Sequence, residues 1–189
     1  LFLGTYDGLK AYASGDPNPT QKLDYWSGES VPAVAQIAAS GEDSATAQDV
    51  ALTLTVPKVR DAEGKLLIST PAFVDSELAV QAGGGTARSE TEDAWILTYT
   101  FPSMKGGQFS QLPFNFSFLD GITPNGTTVT PTIELKVGEV TTDTKSLTFT
   151  AKSADANQVR QVFRRMGEYL QDNKVDVLDE NNQKIGVTK

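Results

Sequence analysis

The chain has 189 residues, 24 acidic and 16 basic side chains, a net charge of -8, and neither cysteine nor histidine. That length supports one sizeable core, or two small ones, without a disulfide or metal staple. The missing residue types exclude thiol nucleophiles, cysteine-based zinc or iron–sulfur sites, imidazole acid–base catalysis and the Ser-His-Asp triad. The acidic balance excludes the concentrated basic surface that a nucleic-acid partner wants.

Threonine and serine are abundant, at 21 and 13 residues, and 16 glycines and 9 prolines punctuate the runs between them. β-Branched Thr favours strands, so the composition predicts an all-β fold with many turns. No run approaches the ~20 apolar residues of a membrane helix, so no membrane insertion is expected. The chain begins at Leu1 rather than Met, which reads as a mature product or an excised piece.

Residues 1–30 carry Tyr6, Tyr12, Tyr25 and Trp26 among glycines and read as irregular. Asp16-Pro17-Asn18-Pro19 reads as a rigid turn, because each proline fixes its own φ and restricts the residue before it. Val31 to Ile37 fits a short strand or a helical turn. Val50, Leu52, Leu54 and Val56 then alternate with Ala51, Thr53 and Thr55, the period of a strand with one apolar face. Asp61 to Lys65 reads as a turn, Leu66 to Ser69 as a strand, Phe73 to Val80 as a further strand, and Gly83-Gly84-Gly85 as a flexible loop tip.

Trp95, Leu97, Tyr99 and Phe101 share a face and predict a strong strand over 94–101, with Pro102 to Gly107 breaking the chain. Leu112, Phe114, Phe116 and Phe118 predict another. Ile133, Leu135 and Val137 face inward on a strand over 128–137, and a last core strand is expected over 147–150. Seven or eight one-faced strands bury their apolar sides as two packed sheets, so a two-sheet, immunoglobulin-like or adhesin-like β-sandwich is expected over residues 1–151. The period then changes. Val159, Val162, Phe163, Met166 and Leu170 form one helical stripe, which predicts an amphipathic helix over 156–171 with Asp155 and Gln158 as a capping box. Val175, Val177, Ile185 and Val187 flank a turn and predict a closing hairpin. Residues 152–189 would pack on the sandwich or begin a following module.

Among candidate sites, Gly83-Gly84-Gly85 lacks the Lys-Ser/Thr of a phosphate loop. Asn125-Gly126-Thr127 fits a glycosylation acceptor, but Asn-Gly is first a turn. On the clear strands the outward acid is Glu134, with Lys136 beside it, so the paired carboxylates of a glycosidase are missing and no enzyme is expected. No cofactor is expected other than calcium, for which Asp16 with Asn18, and Asp120 with Asn125, are the candidate oxygen ligands; none of these stretches is an EF-hand loop. Trp95 is in phase with Leu97 and Tyr99 and reads as core. Tyr25 and Trp26 sit in a Gly/Ser loop. They either plug one end of the sandwich or, with Tyr12, form an aromatic site for a sugar or peptide, where a ring stacks and a polar group orients.

The runs 49–57, 94–101 and Gly121-Ile-Thr-Pro-Asn-Gly-Thr-Thr-Val-Thr-Pro-Thr-Ile133 resemble the adhesin-type β-sandwich domains of Gram-positive cell-wall proteins. The resemblance covers about residues 20–150 and is one of texture, with no LPxTG-like sorting motif present. It implies an extracellular, cell-surface location and a fragment of a longer protein. It also implies partners that are a host protein, a glycan, or neighbouring modules of the same polypeptide. Many such domains carry a Lys–Asn or Lys–Asp isopeptide bond; Lys145, in parity with Leu147 and Phe149, is the candidate lysine here, while Lys58 lies beyond Pro57 and Asn115 falls on the wet face. The expected function is adhesion or structural spacing at a bacterial surface, with a carbohydrate-binding module of an exported hydrolase, or a self-assembling pilus- or surface-layer-like subunit, as the alternatives.

Overall fold

The computed structural model describes all residues except 155, 174, 175, 188 and 189. The chain divides into two compact units, Leu1–Ser153 and Ala154–Lys189. In chain order the first unit contains β1 (Phe2–Gly4), α1 (Tyr6–Ala13), β2 (Asp24–Trp26), β3 (Ser30–Ala38), β4 (Thr46–Pro57), β5 (Ala72–Phe73), α2 (Glu77–Gln81), β6 (Gly85–Glu90), β7 (Ala94–Lys105), β8 (Phe109–Ser117), β9 (Thr128–Val129), β10 (Thr132–Val137), β11 (Val140–Ser146) and β12 (Phe149–Lys152). The second contains α3 (Ala156–Asn173) and a hairpin of β13 (Asp176–Leu178) and β14 (Lys184–Val187).

The fold of the first unit is an all-β sandwich. One sheet has the order β1-β3-β8-β5 and the other β11-β10-β4-β7-β6. A small third sheet, β2-β12-β9, contains the parallel pair β2 and β12. Parity dictates which side chains are shared. Leu52 lies opposite Tyr99, Leu54 opposite Leu97 and Ile133, and Val56 opposite Trp95. These meet Val31, Ala33, Ala35, Leu112, Phe114 and Phe116 of the facing sheet in one buried cluster. The small sheet adds Tyr25, Val129, Phe149 and Ala151 to the same cluster. Each large side chain fully withdrawn from water contributes about 1.5–3 kcal/mol, so this cluster is the main source of stability.

Several local expectations change. Residues 1–13 are ordered as β1 and α1 rather than irregular. Thr5 caps α1, its Oγ1 accepting from the Gly8 N–H at 3.1 Å, and Asp7 lies in the first turn, where a carboxylate suits the helix dipole. Leu9 of α1 packs with Phe2 and Val34 on the outer side of the first sheet. Phe73 to Val80 is not a strand: after two residues of β5 the chain turns into α2, capped by Ser76. Leu66 to Ser69 makes isolated bridges rather than a regular strand. Pro102 does not end β7. Pairing with β6 stops at Thr100, and across on β4 Pro102 faces Asp49, which adopts φ 54°. A proline's missing donor is therefore tolerated there.

In the second unit α3 displays Phe163, Met166 and Leu170 at helical spacing. Asp155 of the expected capping box and Val175 of the hairpin lie outside the described residues.

Candidate functional site

The end of α1 sets up the candidate site. The Asp16 N–H donates to the Ala11 carbonyl and the Gly15 N–H to the Tyr12 carbonyl, both at 3.0 Å. Gly15 carries φ 104°, the left-handed residue that this helix stop requires. The chain then turns into Asp16-Pro17-Asn18-Pro19, where the Asn18 N–H donates to Asp16 Oδ1 at 3.0 Å. Two prolines and this bond stiffen the segment.

That segment forms one wall of a cleft of about 340 Å³. Leu1, Phe2, Leu3, Leu23 and Leu147 supply its apolar lining, and Tyr12, Asn18, Gln21 and Lys145 its polar groups. The Tyr12 ring rests against Phe2, with centroids 5.1 Å apart, and stays 36% exposed. Gln21 Oε1 accepts from the Thr5 N–H at 2.6 Å, so its amide nitrogen is the part left to meet a ligand. Gly4 and Gly8 leave the room into which the Gln21 side chain packs. Lys145 closes the side, its ammonium 3.9 Å from Asp143.

Thus Tyr12, Asn18 and Lys145, chosen from separate stretches of sequence for different reasons, line one cleft. The expected role of Lys145 changes. Its side chain is half exposed, so it lacks the desolvation that an isopeptide lysine needs. Lys58 is the more enclosed lysine, 7% exposed at its side chain, but it is paired with Glu90 and lies 5.3 Å from the Trp95 ring centroid.

Tyr25 and Trp26 part company. Tyr25 is 4% exposed and packs toward Phe149, with centroids 6.1 Å apart. It is therefore part of the core and no stacking platform. Its hydroxyl donates to the Lys22 carbonyl at 3.2 Å, and burial pushes its pKa up. Trp26, on the alternate parity of the same strand, is 56% exposed. The turn behind it is fixed by Glu29, which accepts from Lys22 at 2.8 Å and from the Trp26 N–H at 2.9 Å. These two donors, Lys22 first, hold the Glu29 carboxyl below the usual carboxylate range.

The candidate calcium ligands accept hydrogen bonds within their own loops or from neighbouring ones. Asp16 holds Asn18, as above. Asp120 Oδ1 accepts from Gly121 N–H at 3.0 Å and from Ser27 at 3.3 Å, and Asn125 Oδ1 accepts from Ser153 N–H at 3.1 Å. Among the described residues no three or more His, Cys, Asp or Glu gather as a metal group. Asp120 and Asn125 do, through Ser27 and Ser153, flank the end of the small sheet where Trp26 lies opposite Lys152.

A separate apolar hollow of about 330 Å³ opens at one end of the sandwich, lined by Ile37, Ala45, Ala47, Met104 and Leu135 among others. Its mostly apolar side chains carried no functional signal in the sequence.

No family model and no curated protein matches the chain. Among solved structures it is similar to AvmM, which catalyses macrocyclization in alchivemycin A biosynthesis, at 8% identity over 72% of this chain and 87% of that one, TM-score 0.42. It is similar to a family 123 glycoside hydrolase from Clostridium perfringens at 13% identity over 81% of this chain, TM-score 0.36, and spans 27% of that protein's length. It is similar to self-complemented MyfA, the major subunit of Myf fimbriae from Yersinia enterocolitica, at 16% identity over 70% and 94% of the two chains, TM-score 0.33. Likenesses at this level carry no functional statement.

Proposed function

We propose that this chain is a non-enzymatic, extracellular recognition module of a bacterial surface protein, with the cleft between Tyr12, Asn18 and Lys145 as its ligand site. The observation that carries this reading is the convergence of those three side chains on one apolar-lined cleft with a rigid rim. A ring, two amides and a cation around apolar walls suit a sugar or a polar peptide better than bond-making chemistry.

The edge strands support a module over a self-assembling subunit. β11 carries Asp143 and Lys145, and its pairing with β10 shifts register between Leu135 and Lys136. β6 carries Arg88 and Glu90, and β1 and β5 are two or three residues long. Charges, short length and irregular pairing are the ordinary guards against edge-to-edge addition. The reading as a carbohydrate-binding module of an exported hydrolase is favoured by one specific observation, the 56% exposed Trp26.

The test is binding of the purified chain, Tyr12→Ala and Trp26→Ala to a combined glycan and extracellular-matrix array, with calcium and with chelator. Specific binding lost in Tyr12→Ala supports the cleft. Loss in Trp26→Ala alone moves the site to the small sheet. A blank array for the unaltered chain overturns the recognition function and leaves a structural spacer. Loss with chelator would return calcium to the acidic loops.

A further inference from the structure

We infer that the ligand of the cleft is a saccharide bearing a carboxylate, and that Lys145 selects it. The inference rests on the reading of the cleft as the ligand site. Its first support is charge. The chain carries a net -8, yet the residues lining this cleft include one lysine and no Asp or Glu. A local cation within an acidic surface is where an anionic group gains most from placement.

Lys145 is also weakly held. Its ion partner, Asp143, is 3.9 Å away through Oδ2, while Asp143 Oδ1 accepts from the Thr144 N–H at 2.8 Å. A pair that long and half exposed contributes little, so an incoming carboxylate competes with it at small cost. The remaining groups match sugar chemistry. Tyr12 offers ring surface to C–H faces, and the amides of Asn18 and Gln21 suit hydroxyls. Pro17 and Pro19 keep the ordering cost of the rim low. An extended acidic peptide is disfavoured because it gains affinity by laddering onto a strand edge, and β11 pairs irregularly.

The experiment is calorimetric titration of the full chain with three probes. They are a tetrasaccharide of alternating glucuronic acid and N-acetylglucosamine, the neutral chitin tetrasaccharide, and a tetraglutamate peptide, at about 50 and about 500 mM salt. The acidic sugar is expected to bind about fivefold tighter than the neutral one, the upper range for one half-exposed ion pair. High salt and Lys145→Gln should each erase that preference. Asp143→Asn, which keeps the acceptor for Thr144 while freeing Lys145, should increase it. Tyr12→Ala should weaken both sugars alike. Equal binding of both sugars, or a preference that survives Lys145→Gln, overturns the carboxylate assignment while leaving the cleft intact. Tighter binding of tetraglutamate overturns the saccharide class. Failure of the acidic sugar to bind overturns the inference, whereas binding of either sugar that is unchanged in Tyr12→Ala overturns the cleft reading itself.

Discussion

The hydroxyl of Tyr99, midway along β7, donates to the carbonyl of Val74 at 2.8 Å. The Tyr99 residue is fully buried, so this bond ties β7 to the segment between β5 and α2 across the side of the sandwich. Tyr99→Phe keeps the ring and removes the donor, leaving a carbonyl without its partner. The expected loss is about 1–2 kcal/mol, read as a lower midpoint in denaturant with an unchanged slope. An unchanged midpoint would mean that water replaces the hydroxyl.

The same burial governs the alkaline limit. Desolvation pushes Tyr99 well above the ordinary tyrosine value of 10.0, and burial raises Tyr25 as well. Both phenols bind protons more tightly folded than unfolded. Their contribution is fully present below about pH 10 and is lost as pH rises toward the folded values. Thermal midpoints should therefore be flat from neutral pH to about pH 10 and fall beyond it, and Tyr99→Phe should flatten that fall. A midpoint still constant well above pH 10 would contradict the burial of these hydroxyls.

The three consecutive glycines should respond unequally to alanine. A Cβ on Gly84 would run into the carbonyl oxygen of Thr100, so backbone would have to move, at a cost of about 1–3 kcal/mol. Gly83 has room but φ 86°, and alanine there costs about 1 kcal/mol. Gly85 has neither constraint and begins β6, so alanine should be neutral or slightly stabilising. Equal effects at all three positions would show a flexible tip instead of a packed turn.

Asp49 is the left-handed residue of β4, opposite Pro102, and its carbonyl accepts from the Gly138 N–H at 2.9 Å. Asparagine tolerates that conformation and should change stability little. Valine does not, and Asp49→Val should lose about 1–2 kcal/mol, a melting temperature lower by roughly 2–8 °C for a chain of this size. A melting temperature unchanged by valine would place the backbone here outside the left-handed region.

The alternating runs 50–56, 95–101 and 112–118 were readable because a one-sided strand must repeat every two residues, and their inward sets are the ones buried. Elements without that period were not. β11 is polar on both sides because it lies at an edge, and α1 is a short helix containing Gly8, recognisable only by its Thr5 cap. Parity placed Lys145 on the inward face, and it does lie opposite the buried Ile133, but β11 is the edge strand of its sheet, so the lysine stays half exposed, a fact that parity does not carry.

Composition, charge and periodicity were enough for an all-β sandwich with a C-terminal helix and hairpin, since those follow from local spacing of apolar residues and from the residue types present. The cleft is different in kind. Tyr12 ends a helix, Asn18 sits between two prolines, and Lys145 lies on an edge strand near the far end of the unit. They meet because β1 and β11 close opposite edges of the two sheets on the same side of the sandwich. Packing of one sheet on the other decides such a meeting, and no local pattern encodes it.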